Sequence, residues 1–197
     1  MSRATTPSAP PAEVSYDDYM AMPESTLSVE VVDGVLIDMP TPSYSHQDVQ
    51  LTIAVPLRAH VRANGLGLIV VSPADLVIRR KPKLRIRQPD VMFFSDARSG
   101  FDCAADPNRL QAESVAPEIA VEVLSPGQNE RTLAEKLRDY ASIGIPEVWF
   151  ADQLTRSIRV LRPDGESYML EREYRSGDRL TSPNLPGLDL PVASIFG

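Results

Sequence analysis

Residues 118–140, EIAVEVLSPGQNERTLAEKLRDY, decide how this chain is read. Ile119, Val121 and Val123 alternate with Glu118, Ala120, Glu122 and Leu124, and this period of two with β-branched content predicts a strand. Ser125-Pro126 breaks the pattern, and Asn129 then caps a helix predicted to run to about Ser142. Stepping about 100° per residue from Leu133 sets Leu137, Tyr140 and Ile143 at about 40°, 340° and 280°. Lys136 falls at about 300°, inside that apolar arc, while Arg131, Glu135, Arg138 and Asp139 are expected on the solvent side. A carboxylate inside a buried strand is costly unless paired, protonated or bound to a metal, so some other group should answer Glu122. Lys136 either snorkels at the helix boundary or turns toward the sheet.

Upstream, Gln88-Pro89-Asp90 leads into the apolar run Val91-Met92-Phe93-Phe94. Pro89 suits the approach to a strand, where no ladder donor is needed, so Asp90 lands at the strand's polar start. Asp90 and Glu122 on neighbouring strands repel each other. A divalent cation resolves that repulsion, and Mg²⁺ typically takes one or two carboxylates and keeps several waters. Such an ion activates water and neutralises charge on a phosphate oxygen, and a nearby lysine can stabilise the developing charge. Asp90, Glu122 and Lys136 together describe a phosphodiester-hydrolysis site.

The rest of the chain supplies the frame. Residues 1–13, rich in Ser, Thr, Pro and Ala, are expected to form a disordered leader ahead of a single domain spanning 14–197. A short helical turn is expected around Tyr16 to Met22. Ser28 to Met39 is a hairpin signal about Asp33-Gly34, setting Val32 opposite Val35 and Glu30 opposite Ile37. Glu30 falls among apolar neighbours, a second oddly placed carboxylate whose plainest reading is an edge residue reaching water. Ser45 to Val61 reads as a helix capped by Ser45, which Pro56 should kink or end early. His46 in its first turn reads as a surface or capping histidine.

Short strands are expected at Leu68–Val71 and Leu76–Arg80. Six basic residues then lie between Arg79 and Arg87, and Lys83, Arg85 and Arg87 would share one face of a strand. That face is either a solvated hairpin or a phosphate-contacting edge. Residues 95–116 read as a loop or weak helix. Strands follow at Glu147–Ala151, Ser157–Leu161 and Tyr168–Tyr174, and Leu185–Phe196 closes against the core.

Composition narrows the classes. The 197 residues, 43% hydrophobic, suffice for one domain with a sizeable core. No apolar run reaches membrane-spanning length, and no membrane association is expected. A single cysteine, Cys103, cannot form an intramolecular disulfide and fits a cytoplasmic setting. With His46 and His60 the only histidines, a Cys/His zinc site is not expected. The net charge of −7 argues against general nucleic-acid binding, though not against a local basic patch.

The order Pro89-Asp90, then Glu122, resembles the PD-(D/E)XK nuclease superfamily. VEVVDG at 29–34, SHQ at 45–47, PDVMF at 89–93, PEIAVEVLSP at 117–126, EKLRDYASIGIPEVWFAD at 135–152 and the closing LPGLDLP resemble its bacterial restriction-endonuclease branch, often labelled Uma-two. The likeness covers about residues 16 to 197. It implies an α/β (α+β) restriction-endonuclease-like core, a central mixed sheet flanked by helices, here with an N-terminal hairpin. It also implies a DNA endonuclease using Mg²⁺, with Mn²⁺ as a substitute, held by Asp90 and Glu122. In the superfamily pattern a lysine stands two residues after the glutamate, where this chain has Leu124. The resemblance maps that lysine to Lys136 and matches Glu30 to the branch's early glutamate as an auxiliary catalytic residue. Where the branch often has an acid shortly before the lysine, this chain has Thr132. DNA is the implied partner, and a homodimer is compatible with such a fold. The other readings are a catalytically inactive nuclease-fold binding or regulatory protein, and a hydrolase of smaller phosphate esters.

Overall fold

Asp33 and Gly34 take positive φ of 50° and 83° and close a two-residue turn between β1 (Val29–Val32) and β2 (Val35–Asp38). This is the left-handed pair that matches strand twist in tight hairpins. The register sets Val32 opposite Val35 and Glu30 opposite Ile37, as the turn chemistry predicts. The computed structural model describes residues 13–23, 28–125 and 129–196. Residues 1–12 of the expected leader lie outside them. Glu13 pairs with Lys83, and the Val14 amide donates to the Gly34 carbonyl at 2.8 Å.

After α1 (Tyr16–Met20) and the hairpin comes α2 (Tyr44–Ala63), followed by β3 (Gly67–Val71), β4 (Leu76–Arg79), β5 (Arg85–Arg87) and β6 (Val91–Ser95). The segment 95–116, expected as a loop or weak helix, contains two short helices, α3 (Asp96–Ser99) and α4 (Pro107–Ala112). β7 (Ile119–Leu124) leads to α5 (Glu130–Ser142), then β8 (Glu147–Asp152), β9 (Ser157–Asp164) and β10 (Ser167–Tyr174). β11 (Arg179–Ser182), β12 (Leu185–Pro191) and α6 (Ala193–Phe196) finish the chain.

The central sheet runs β10-β9-β8-β7-β6-β3. It is mixed: β7 and β8 are parallel, and the other neighbours are antiparallel. Helix α2 lies on one face, where Ile53, Leu57 and Val61 pack with Phe93, Val121 and Trp149. Helix α5 lies on the other, where Tyr140 packs with Met92, Ala120 and Phe150. Alternation along β6 and β7 feeds both layers, as expected for strands covered on both sides. A second sheet, β2-β1-β5-β4, leans its Val31, Leu84 and Ile86 on α1.

Helix α2 departs from expectation at both ends. Ser43 rather than Ser45 caps it, accepting from the His46 amide at 3.2 Å. Pro56 does not end it; the helix continues to Ala63 because Leu57 and Val61 beyond the proline remain buried on the sheet. Helix α5 is rotated relative to its apolar arc. Asp139 is buried rather than solvated, and Lys136 sits near the middle of the inward face.

Candidate active site

The β6–β7 register, with Val91 opposite Val121, brings Asp90 alongside Glu122 at one end of the central sheet. The Asp90 carboxylate accepts the Val123 amide at 2.7 Å. The Gln50 amide and the Ser72 amide both donate to the Asp90 carbonyl, at 2.8 and 3.0 Å. Asp90 is thereby fixed by three different segments, with its side chain 15% exposed.

Glu122 lies deeper. Lys136 donates to its Oε2 at 2.9 Å, and the Tyr140 hydroxyl donates to its Oε1. The Lys136 ammonium also lies 3.1 Å from Glu30 Oε1, so it bridges β7 and β1 from the helix that packs between them. The lysine side chain is 5% exposed, which excludes snorkelling. Glu30 in turn receives Arg87 Nη1 at 2.7 Å, while Arg87 Nε holds Asp139 at 2.7 Å. The edge alternative for Glu30 is likewise excluded, since it is buried.

The two carboxylates that share Lys136 differ in protonation behaviour. Burial pushes the Glu30 carboxyl up, but Lys136 and Arg87 outweigh it and hold the group below its ordinary 4.5. Burial also pushes up Glu122, and there the lysine does not compensate because Asp90 adds a like charge; the net direction is above 4.5. Burial would lower the Lys136 ammonium, yet Glu122 and Glu30 together hold it above its ordinary value. A carboxylate whose folded value is lowered contributes stability above its unfolded value and loses it as pH falls through the folded one. Replacing Glu30 with Gln should thus cost about 3 kcal/mol at neutral pH. The gap from wild type should begin to narrow below 4.5 and close only as pH falls through the lowered folded value, beneath which both proteins carry a neutral group at this position. Urea midpoints measured across the acid range check this, and a gap constant in pH would contradict it.

His46, expected at the surface, is buried instead. Its Nε2 lies 3.5 Å from Asp90 Oδ2, and its Nδ1 is a buried atom with no hydrogen-bond partner among the described residues. The hydrogen bond with Asp90 raises the imidazole above its ordinary value despite burial. His46 and Gln50 are the site residues that periodicity missed; Tyr140 was placed on the inward face, but its hydrogen bond to Glu122 was not foreseen. The available signal was the i, i+4 spacing of His46 and Gln50, which puts both on one helical face.

The basic segment Arg79 to Arg87 does not form a free positive edge. Arg85 pairs with Glu135 and Asp139, Arg87 with Glu30 and Asp139, Arg79 with Asp33 and Lys83 with Glu13. Arg80 stacks 4.2 Å over the Tyr16 ring and donates to the Ala112 carbonyl. The acids placed on the solvent side of α5, Glu135 and Asp139, are what neutralise this strand.

Whether these residues fit a metal ion turns on the donor set. Among the described residues no group of three or more His, Cys, Asp or Glu side chains is arranged to hold one. The pair Asp90 and Glu122 offers carboxylate oxygens, the donors that suit a hard cation keeping most of its waters; burial first, and the like charge of Asp90 after it, raise Glu122.

The Uma2 family, described as "Putative restriction endonuclease", matches residues 16–193. The chain belongs to this family. The chain also resembles a solved structure, titled a putative nuclease belonging to DUF820 from Anabaena variabilis ATCC 29413. The TM-score is 0.67 at 17% identity, over 93% of this chain and 97% of that one. That likeness shows a shared fold. The comparison with curated proteins gives no match. No helix among the described residues is long and apolar enough to cross a membrane.

Proposed function

We propose that this Uma2 protein is a metal-dependent endonuclease of the PD-(D/E)XK type, a single domain over residues 14–197 that hydrolyses DNA phosphodiester bonds. The observation that carries the reading is the register that sets Asp90 beside Glu122 while Lys136 reaches the same carboxylate from α5. Asp90 and Glu122 would hold Mg²⁺, or Mn²⁺ in its place. When bound, such an ion polarises a phosphate oxygen and supplies an activated water. The protein's own residues do the rest. Lys136 holds Glu122 in place and sets a positive charge beside the carboxylate pair, in the role of the migrated lysine. Glu30 anchors Lys136, and Arg87 anchors Glu30. His46 orients Asp90 from the first turn of α2. A free, buried Cys103 supports a cytoplasmic setting.

One observation favours a second reading, a nuclease-fold protein that binds without turnover. Lys136 is neutralised on both sides, and Leu124 occupies the position where the superfamily pattern has its lysine. Calorimetric titration with Mn²⁺ tests the metal site common to the proposed enzyme. Wild type should bind, Asp90→Ala should not, and His46→Ala should bind about 10- to 100-fold more weakly, the usual cost of losing a group that orients a ligand. Absence of binding heat at millimolar Mn²⁺ would sink the enzyme reading.

A further inference from the structure

The outward face of α2 carries a stripe that nothing among the described residues covers. Tyr44, Leu51 and Val55 are 93%, 59% and 57% exposed. Asp48, Arg58 and Arg62 are exposed beside them and have no ion-pair partner among the described residues. All six fall within about 40° of the Tyr44 direction at 100° per residue, opposite the face that buries Ile53. Residues 44, 48, 51, 55, 58 and 62 follow the alternating four- and three-residue spacing of a helix–helix seam. Pro56, about 120° round from Tyr44, keeps its ring out of this seam.

The order of the residues along the stripe identifies the occupant. Leu51 and Val55 stand equally far from the level of residue 53, as do Asp48 and Arg58, and Tyr44 and Arg62. A two-fold axis at that level would set Leu51 against Val55 of the partner subunit. It would also set Asp48 against Arg58 of the partner subunit and Tyr44 against Arg62 of the partner subunit. Each contact then occurs twice, as an isologous interface requires. The pairs are apolar with apolar, acid with base, and an aromatic face with a guanidinium. Parallel pairing would instead stack Asp48 on its own copy and each arginine on its own copy. A phosphate backbone would meet Asp48 and two aliphatic side chains, so nucleic acid does not suit this face.

We infer that α2 is a self-association surface on which a second copy of this chain docks its own α2 antiparallel. The inference stands apart from the catalytic reading, since none of the six residues touches Asp90, Glu122 or Lys136. Each His46 lies on the inward side of its helix, seven residues from the proposed axis. Two sites would therefore be carried on one helix pair, about 21 Å apart along it.

Charge reversal tests this on the full chain. Wild type should sediment as a concentration-dependent dimer, and Leu51→Asp should sediment as a monomer. Asp48→Arg and Arg58→Asp should each weaken the dimer about tenfold or more, because each loses both symmetry-related pairs and gains repulsion. The double variant, which exchanges the partners, should return to near the wild-type dissociation constant. All substituted residues are exposed, and circular dichroism confirms that each variant is folded. Wild type that stays monomeric at high concentration overturns the inference. So does a dimer that the single reversals leave intact, or a double variant as weak as the singles.

Discussion

Asp90→Asn and Glu122→Gln should each lower cleavage of supercoiled plasmid by about 10³-fold or more in the presence of Mg²⁺ or Mn²⁺. Both substitutions keep the size and shape of the side chain and remove its charge. In Asp90→Asn the side-chain carbonyl oxygen can still accept the Val123 amide, so the sheet end remains in place while the proposed cation would lose a charged ligand. In Glu122→Gln, Lys136 retains Glu30 at 3.1 Å, which keeps the helix anchored to β1. A loss of activity in folded protein therefore reports on the site rather than on the fold. Equal cleavage by wild type and both variants would place the chemistry elsewhere or in a contaminant. A folded wild type that binds DNA yet leaves it intact with either metal would decide for the non-catalytic reading.

Lys136→Met should be the most destabilising single change in the cluster. Removing one partner of a buried ion pair typically costs about 3–5 kcal/mol, because the remaining charge stays buried without compensation. Here Glu30 would keep Arg87, but Glu122 would be left with the Tyr140 hydroxyl and the like charge of Asp90. For a chain of this size the loss corresponds to a fall in Tm of about 10 °C at pH 8. The pH dependence follows from the sign of the Glu122 shift. Its carboxyl already lies above the ordinary value, and losing the lysine raises it further, so the folded variant takes up a proton more readily than the unfolded one. The deficit should thus be largest at alkaline pH and shrink on acidification toward the raised value. A Glu122→Gln/Lys136→Met double variant should recover much of the loss, since no buried charge is left unpaired at β7. Denaturant unfolding at two pH values checks each point. Stability equal to wild type at pH 8, or a deficit that does not change with pH, would remove Lys136 from the cluster.

The elements themselves were legible because their signals are local. The hairpin register followed from Asp33-Gly34, and the strand at 119–124 from its period of two. The cap of α5 followed from Asn129, whose side chain accepts the Arg131 amide. Helix α2 was less legible. A proline inside a helix is costly in isolation, and the continuation to Ala63 depends on burial of Leu57 and Val61 against strands far away in sequence.

The site was legible in outline and misread in detail. Lys136 was placed inward by helical angle, and the structure sets it between Glu30 and Glu122. The same angles put Asp139 in water, because they describe one apolar face and take no account of a second sheet beside the helix. That sheet brings Arg85 and Arg87 to Asp139.

Glu147 shows the limit most plainly. It stands in Pro-Glu-Val as Glu118 stands in Pro-Glu-Ile, and it opens β8 among apolar residues much as Glu122 interrupts those of β7. Its carboxylate is fully buried yet accepts from Ser182 and Asn184, both at 2.8 Å, with Arg162 at 3.1 Å, so it fastens the C-terminal hairpin to the sheet. The order of residues by itself determined the strands of the central sheet, the cap of α5, the hairpin turn and the presence of carboxylates inside apolar runs. Only the tertiary structure decided which of those carboxylates meets Asp90 and a lysine and which meets a hydroxyl, an amide and an arginine. The physical reason is that a buried charge is compensated by whatever the folded chain brings within about 3 Å of it. Those partners come from segments tens of residues away, beyond the reach of any local period.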